Sequence, residues 1–253
     1  MNFLHRVKYK TPQQASGELV EAITHNHVVV LEGMDMQFSY PEFYAEVADE
    51  MGRVVPANED LRTGGQTGER WIDISYDPAI PDRYRTANVH QPLHTDASYM
   101  PDKNCISFFY CTSCAPLGGA TQFLDNQHFL QAIEYDHKLD MFERLKSIDV
   151  CFSKAGNRST MPIITEDHAG LSFNYNYYCL DDQNTDEAKD LVDEFQVFLE
   201  NRIRNSGIPE AVKLLPGEAV FFHDSRILHG RNAFFADKKG ARTLIKGVVV
   251  LDG

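Results

Sequence analysis

From about residue 70 onward the chain is cut into short β-branched and aromatic runs by glycine, proline and small polar residues, and this punctuation restricts it to strand-rich architectures. RWIDISY, CISFFYC, ATQFLD and LSFNYNYY come first, and AVFFH and ARTLIKGVVVL close the chain. Leu215-Pro216-Gly217-Glu218 puts proline and glycine at the two central positions of a type II turn that leads into AVFFH. Helical patterns flank these strands. TPQQASGELVEAITHN has Thr11 as its N-cap, and FSYPEFYAEVADEMG closes at Gly52, with the short strand HVVVLEG between them. Two more helices are predicted at about 126–147 and 184–206, the second carrying Leu191, Phe195, Phe198, Leu199 and Ile203 on one side. The pattern predicts a mainly β fold with peripheral helices, a sandwich or barrel. With 253 residues and 43% hydrophobic content, one domain over 1–253 is enough to enclose one core.

Charge and cysteine usage narrow the setting. The chain has 24 Lys and Arg against 37 Asp and Glu, a net charge of −13, which repels nucleic-acid phosphates and anionic membranes. No apolar run approaches the roughly 20 residues of a membrane span, and MNFLHRVKYKTPQQ does not read as a secretory signal. Five cysteines make an odd count with no regular framework, which predicts reduced thiols in a cytoplasmic protein. Cys111 and Cys114 form a C-x-x-C, but no second pair follows to complete a zinc site.

The chemistry gathers around His94-Thr95-Asp96. In extended chain, residues two apart share a face, so the imidazole and the carboxylate can reach one ion, and the adjacent Pro92 argues against a helix. Alone the pair is cheap: ten histidines and 37 acids yield about one His-x-acid by chance. A third candidate is His229 in DSRILHGR. Two histidines and one carboxylate leave three positions open on a metal, which suits iron(II) holding a bidentate cosubstrate and O₂ rather than a closed structural site. Arg242, thirteen residues past His229, offers a planar fork for a carboxylate, and Thr121, after Gly118-Gly119-Ala120, offers a hydroxyl.

The ordered set His94-x-Asp96, Gly118-Gly119-x-Thr121, Pro216-Gly217-Glu218, His229-Gly230-Arg231 and Arg242 resembles the taurine dioxygenase and clavaminate synthase-like family. That resemblance covers most of the chain. It implies a double-stranded β-helix (jelly-roll, cupin-like) fold with His94, Asp96 and His229 as iron(II) ligands. It also implies Thr121 and Arg242 as holders of the distal carboxylate of 2-oxoglutarate. The implied reaction consumes O₂ and 2-oxoglutarate, releases succinate and CO₂, and hydroxylates or otherwise oxidises an unactivated C–H bond. Desaturation, epoxidation or cyclisation at the same site, a non-catalytic metal- or small-molecule-binding β-barrel, and a zinc hydrolase are the competing readings. Asp96 fills the position that halogenating relatives leave small.

For the substrate, the resemblance departs from its pattern. Taurine dioxygenase-like members place an arginine four residues past the cosubstrate arginine, against the anionic substrate, and here that position is Lys246, a point charge without the fork. Further candidates are Tyr99, just past the ligands, Asn174 and Tyr175 in the alternating run NYNYY, Arg158 in SKAGNRST, and Arg231. Together they predict a small polar molecule with an anionic group, an amino acid or an amino-acid-derived natural-product intermediate. The polar segments 57–70 and 153–161 are the predicted lids.

Overall fold

The computed structural model describes residues 3–8, 11–33, 39–60, 63, 65–100 and 105–251. Two sheets face each other. The larger runs, in spatial order, Leu4–Lys8, Val28–Glu32, Ala219–His223, Ile106–Ser113, Thr243–Leu251 and Gly52–Val54, with Ile72–Ser75 also paired to Thr243–Leu251. The smaller runs Glu210–Val212, Thr121–Leu124, Leu228–Arg231 and Gln91–His94. Pairing within the two sheets is antiparallel, apart from Leu4–Lys8, which lies parallel to Val28–Glu32. The chain passes from one sheet to the other, Ile106–Ser113 to Thr121–Leu124 and Ala219–His223 to Leu228–Arg231, which is the winding of a jelly roll.

Alternation along each strand decides what faces what. On the larger sheet Val28, Val30, Phe109, Cys111, Val220 and Phe222 point between the sheets. Their neighbours Val29, Leu31, Phe108, Tyr110 and Phe221 point outward, under the helices Pro12–His25 and Tyr40–Met51. Both faces of this sheet are therefore apolar, as for a strand such as VVVLE with no polar position inside it. Thr11 caps the first helix through its hydroxyl and Gly52 ends the second, as the sequence predicts.

On the smaller sheet Leu93, Leu124 and Leu228 point outward into a third cluster, built with the helices Asn126–Tyr135, Leu139–Ser147 and Asp186–Phe198. Each fully buried leucine contributes about 1.5–3 kcal/mol relative to exposure. A strand that sends Leu93 or Leu228 outward must send the next residue, His94 or His229, inward.

Two predicted elements differ. The helix at about 126–147 is two helices, broken between Tyr135 and Leu139, where His137 adopts φ 54°. The run LSFNYNYY is strand only to Phe173. Beyond it the backbone of Tyr175 bonds to Thr95 instead of to a sheet, and Tyr177–Cys179 forms a 3₁₀ turn. Among the described residues no helix is long and apolar enough to cross a membrane.

Candidate active site

His94 and His229 lie opposite each other in the antiparallel register of the smaller sheet, with ring centroids 4.4 Å apart. The strands approach closely there because residue 230 is glycine. A Cβ at Gly230 would stand 2.7 Å from the carbonyl oxygen of Gln91. Two residues past His94 the chain has left its strand for a turn, and Asp96 swings back toward the two imidazoles. His94 Nε2 is 3.5 Å from Asp96 Oδ1 and His229 Nε2 is 3.3 Å from Asp96 Oδ2. The three donor atoms all lie within 4.8 Å of one another.

This donor set fits one divalent ion. His94 Nδ1 is 2.8 Å from the carbonyl oxygen of Pro92, which can only accept, so Nδ1 carries the proton and donates it. The Nε2 lone pair is thereby turned toward the other two donors. The nitrogen–oxygen spacings of 3.5 and 3.3 Å are ones that a single ion with bonds of about 2.0–2.2 Å spans.

Asp96 carries its charge in a crowded place. Burial alone would raise its pKa, but the Lys246 ammonium, with Nζ 2.6 Å from Oδ2, and the two imidazoles outweigh burial and hold the carboxyl well below the usual range. Lys246 alternates with Leu244 and Val248 on the cavity-facing side of the last strand. Burial also lowers the pKa of His229, so its imidazole is neutral and able to ligate.

A cavity of about 910 Å³ opens over these groups, in the upper part of the roughly 300–1,000 Å³ range of small-molecule sites. One wall holds Thr121, Arg231 and Arg242, each buried. Arg242 donates from Nε and Nη2 to the carbonyl oxygen of Gly119, and Phe234 lies beneath both guanidiniums, its centroid 5.3 Å from Arg242 Cζ and 5.2 Å from Arg231 Cζ. Gly119 has φ 78°, and a Cβ on it would reach within 3.0 Å of Arg242 Nε, so this seat requires glycine on both counts. Burial pushes Arg242 down to about 10, and burial together with Arg242 pushes Arg231 down to about 9. Neither pairs with an acidic side chain among the described residues; their donors go to backbone carbonyl oxygens.

The substrate candidates separate. Tyr99 lines the cavity and donates its hydroxyl to Glu59 Oε1 at 3.0 Å. Lys246 lines it with its ammonium committed to Asp96. Arg231 also lines it, but its guanidinium donates to the carbonyl oxygens of Tyr84, Ala87 and Val89 and so holds the 84–89 segment in place. Asn174 and Tyr175 do not line it. Tyr175 is fully buried against Phe195 and donates to Gln196 Oε1 at 2.6 Å, because its departure from the sheet turns it toward the helices. Arg158 lies away from the cavity too, held by Cys151 Sγ, Asp181 and Gln183.

Of the two predicted lid segments, Ala57, Glu59, Asp60, Thr63 and Gln66 line the cavity from the first, and Lys154 from the second. Residues 61, 62 and 64 of the first lie outside the described residues. The second is an antiparallel hairpin, Asp149–Lys154 with Asn157–Pro162. Sequence reasoning missed Glu59, which binds Lys154 Nζ at 2.8 Å as well as Tyr99; within the run NYNYY it singled out Asn174 and Tyr175, whereas Asn176, Tyr177 and Tyr178 of the same run line the cavity. The buried Asp224 was missed as well. Its only sequence signal is an acidic residue between the apolar runs AVFFH and ILHG.

Known proteins share this architecture. Asparagine oxygenase, solved with Fe(II), 2S,3S-3-hydroxyasparagine and succinate, superposes with a TM-score of 0.70 at 13% identity, over 94% of this chain and 78% of that one. The non-haem iron oxygenase OrfP, solved with Fe, succinate and (3S)-hydroxy-L-Arg, gives 0.64 at 14% identity over 98% and 94%. PvcB from Pseudomonas aeruginosa gives 0.66 at 16% identity over 98% and 87%. At such identities these likenesses establish the jelly-roll fold. No curated protein sequence matches the chain. A family model does, over residues 4–248, nearly its whole length, and the chain therefore belongs to the taurine catabolism dioxygenase TauD, TfdA family.

Proposed function

We propose that this protein is an iron(II)- and 2-oxoglutarate-dependent dioxygenase that oxidises a C–H bond of a small polar molecule, an amino acid or an amino-acid-derived intermediate. The observation that carries the reading is the pairing, in one cavity, of a two-histidine, one-carboxylate donor set with a buried arginine that has no acidic partner among the described residues. His94, Asp96 and His229 would hold the iron. Arg242, with Thr121 beside it, would hold the distal carboxylate of 2-oxoglutarate, since the guanidinium needs an anion and the hydroxyl can donate to one. Iron with 2-oxoglutarate and O₂ supplies oxidation of an unactivated C–H bond, with release of succinate and CO₂.

The protein's own part is placement and exclusion of water. Lys246 holds one oxygen of Asp96, leaving the other for the ion, and it neutralises the carboxylate, so in this reading it serves the metal site rather than the substrate. Tyr99, Glu59 and Lys154 form a hydrogen-bonded group over the cavity that offers both signs of charge, which suits a zwitterion. The 57–70 segment acts as the lid, and the whole chain as one oxygenase domain. Amino-acid substrates are supported by the hydroxy-amino acids named with asparagine oxygenase and OrfP. Five free cysteines suit a cytoplasmic setting.

The test is anaerobic addition of iron(II) and 2-oxoglutarate to the folded protein. A weak visible charge-transfer band is expected, and its absence would sink the reading. Screening amino acids for substrate-triggered O₂ consumption then identifies the substrate class.

A further inference from the structure

We propose that Asp224 is a positioning residue that sets two of the three metal ligands at once, an inference that rests on the metal-site reading above. Asp224 sits in the 3₁₀ turn Asp224–Arg226, where the chain crosses from Ala219–His223 in the larger sheet to Leu228–Arg231 in the smaller. It is 1% exposed. Its Oδ1 accepts the backbone N–H of Asp96 at 2.9 Å and its Oδ2 that of Ala97 at 2.7 Å, so this one carboxylate holds the first two residues of the turn that aims Asp96.

The same Oδ1 is 3.8 Å from Nδ1 of His229, a buried ring nitrogen with no hydrogen-bond partner among the described residues. No lysine or arginine pairs with Asp224 among the described residues, and the nearby Arg226 is committed to Asp167. A buried carboxylate without a cation is costly. The arrangement becomes favourable when His229 carries its proton on Nδ1, facing Asp224, and presents the Nε2 lone pair to a divalent ion. The carboxylate then orients the imidazole, and the ion's charge, transmitted through the ring, offsets that of Asp224. His94 achieves the same tautomer with the carbonyl of Pro92, so each histidine has its own acceptor behind it.

The competing arrangement is a His229 protonated on Nε2 and donating to Asp96, 3.3 Å away, with Asp224 serving the turn alone. The two differ in which ring nitrogen of His229 carries the proton. In Asp224→Asn the amide keeps the shape but can accept only one of the two N–H bonds and sets an NH₂ against the other, so it loosens the turn that carries Asp96 as well as the hold on His229. Titration of the full chain with Mn(II), read by electron paramagnetic resonance, is expected to show affinity about 10–100-fold weaker in the variant, with thermal unfolding of the metal-free protein showing it folded. Affinity within about twofold of wild type would overturn the proposal. Whether or not Asp224→Asn folds, ¹⁵N-histidine NMR of the metal-free wild type at mildly alkaline pH separates the two arrangements: an Nδ1–H His229 supports the proposal and an Nε2–H His229 overturns it. A wild-type chain that binds no Mn(II) removes the metal site itself, and this inference with it.

Discussion

Lys246→Met removes the ammonium 2.6 Å from Asp96 Oδ2 while keeping most of the apolar stem that packs beside Leu244 and Val248. Breaking a buried ion pair from one side costs about 3–5 kcal/mol, because the remaining charge has lost its partner. The Lys246 side chain is 10% exposed and that of Asp96 27%, so water recovers part of this. A cost of about 2–3 kcal/mol in the metal-free protein follows. For a chain of this length it lowers Tm by roughly 4–12 °C. A divalent ion on Asp96 supplies the missing positive charge, so the deficit should shrink when metal is bound, and the rise in Tm on adding metal should be larger in the variant than in wild type. Differential scanning calorimetry with and without saturating Mn(II) measures both differences. Equal losses of Tm in the two conditions would refute the claim that lysine and metal share the same carboxylate, and no loss in either would refute the buried pair.

His94→Ala and Asp96→Ala each remove one of three donors and should abolish both the metal-dependent rise in Tm and succinate formation. Arg242→Ala should leave Mn(II) affinity near wild type and raise the 2-oxoglutarate requirement about 10–150-fold, the equivalent of about 1.5–3 kcal/mol for hydrogen bonds to a charged group; an unchanged requirement would move the anchor elsewhere. Gly119→Ala should raise the same requirement, because φ 78° costs a residue with a Cβ about 1–2 kcal/mol and the new methyl displaces Arg242. His223 should make the fold acid-sensitive. Burial, with a smaller contribution from His27, lowers its pKa to about 4, and its Nε2–H donates to the carbonyl of Ile23. The folded state resists a proton that the unfolded chain takes up near 6.5, so stability is full above that pH and falls as pH drops from about 6.5 to about 4. The loss is at most about 3 kcal/mol. Urea unfolding across this range should show a flatter profile for His223→Gln, and identical profiles would exclude the assignment.

Much of this molecule was legible from local pattern. The caps at Thr11 and Gly52, the turn at Pro216-Gly217 and the strands VVVLE and AVFFH are set by neighbours in sequence, and the structure realises each of them. The donor cluster was legible because His94 and Asp96 are two apart and a third histidine stands before a glycine. What escaped was whatever depends on distant chain. Tyr175 and Tyr177 read alike in NYNYY, yet bonds from Tyr175 to Thr95 carry one into the core and leave the other on the cavity. Arg231 reads as a free cation until the carbonyls of the 84–89 segment are seen around it. Glu59, Lys154 and Tyr99 come from three separate segments, and no spacing rule links them.

The cross-strand placement of His94 opposite His229 also bears on how the protein folds. The two imidazoles come from opposite halves of the chain and meet only when the smaller sheet has closed in its native register, since a slip of one residue would turn one ring to the outer face. Closure of that sheet is a long-range event and belongs to the slow part of folding. Metal ions added during refolding would therefore bind late, after the hairpins and helices have formed, and the moment of metal uptake would time the closing of the jelly roll.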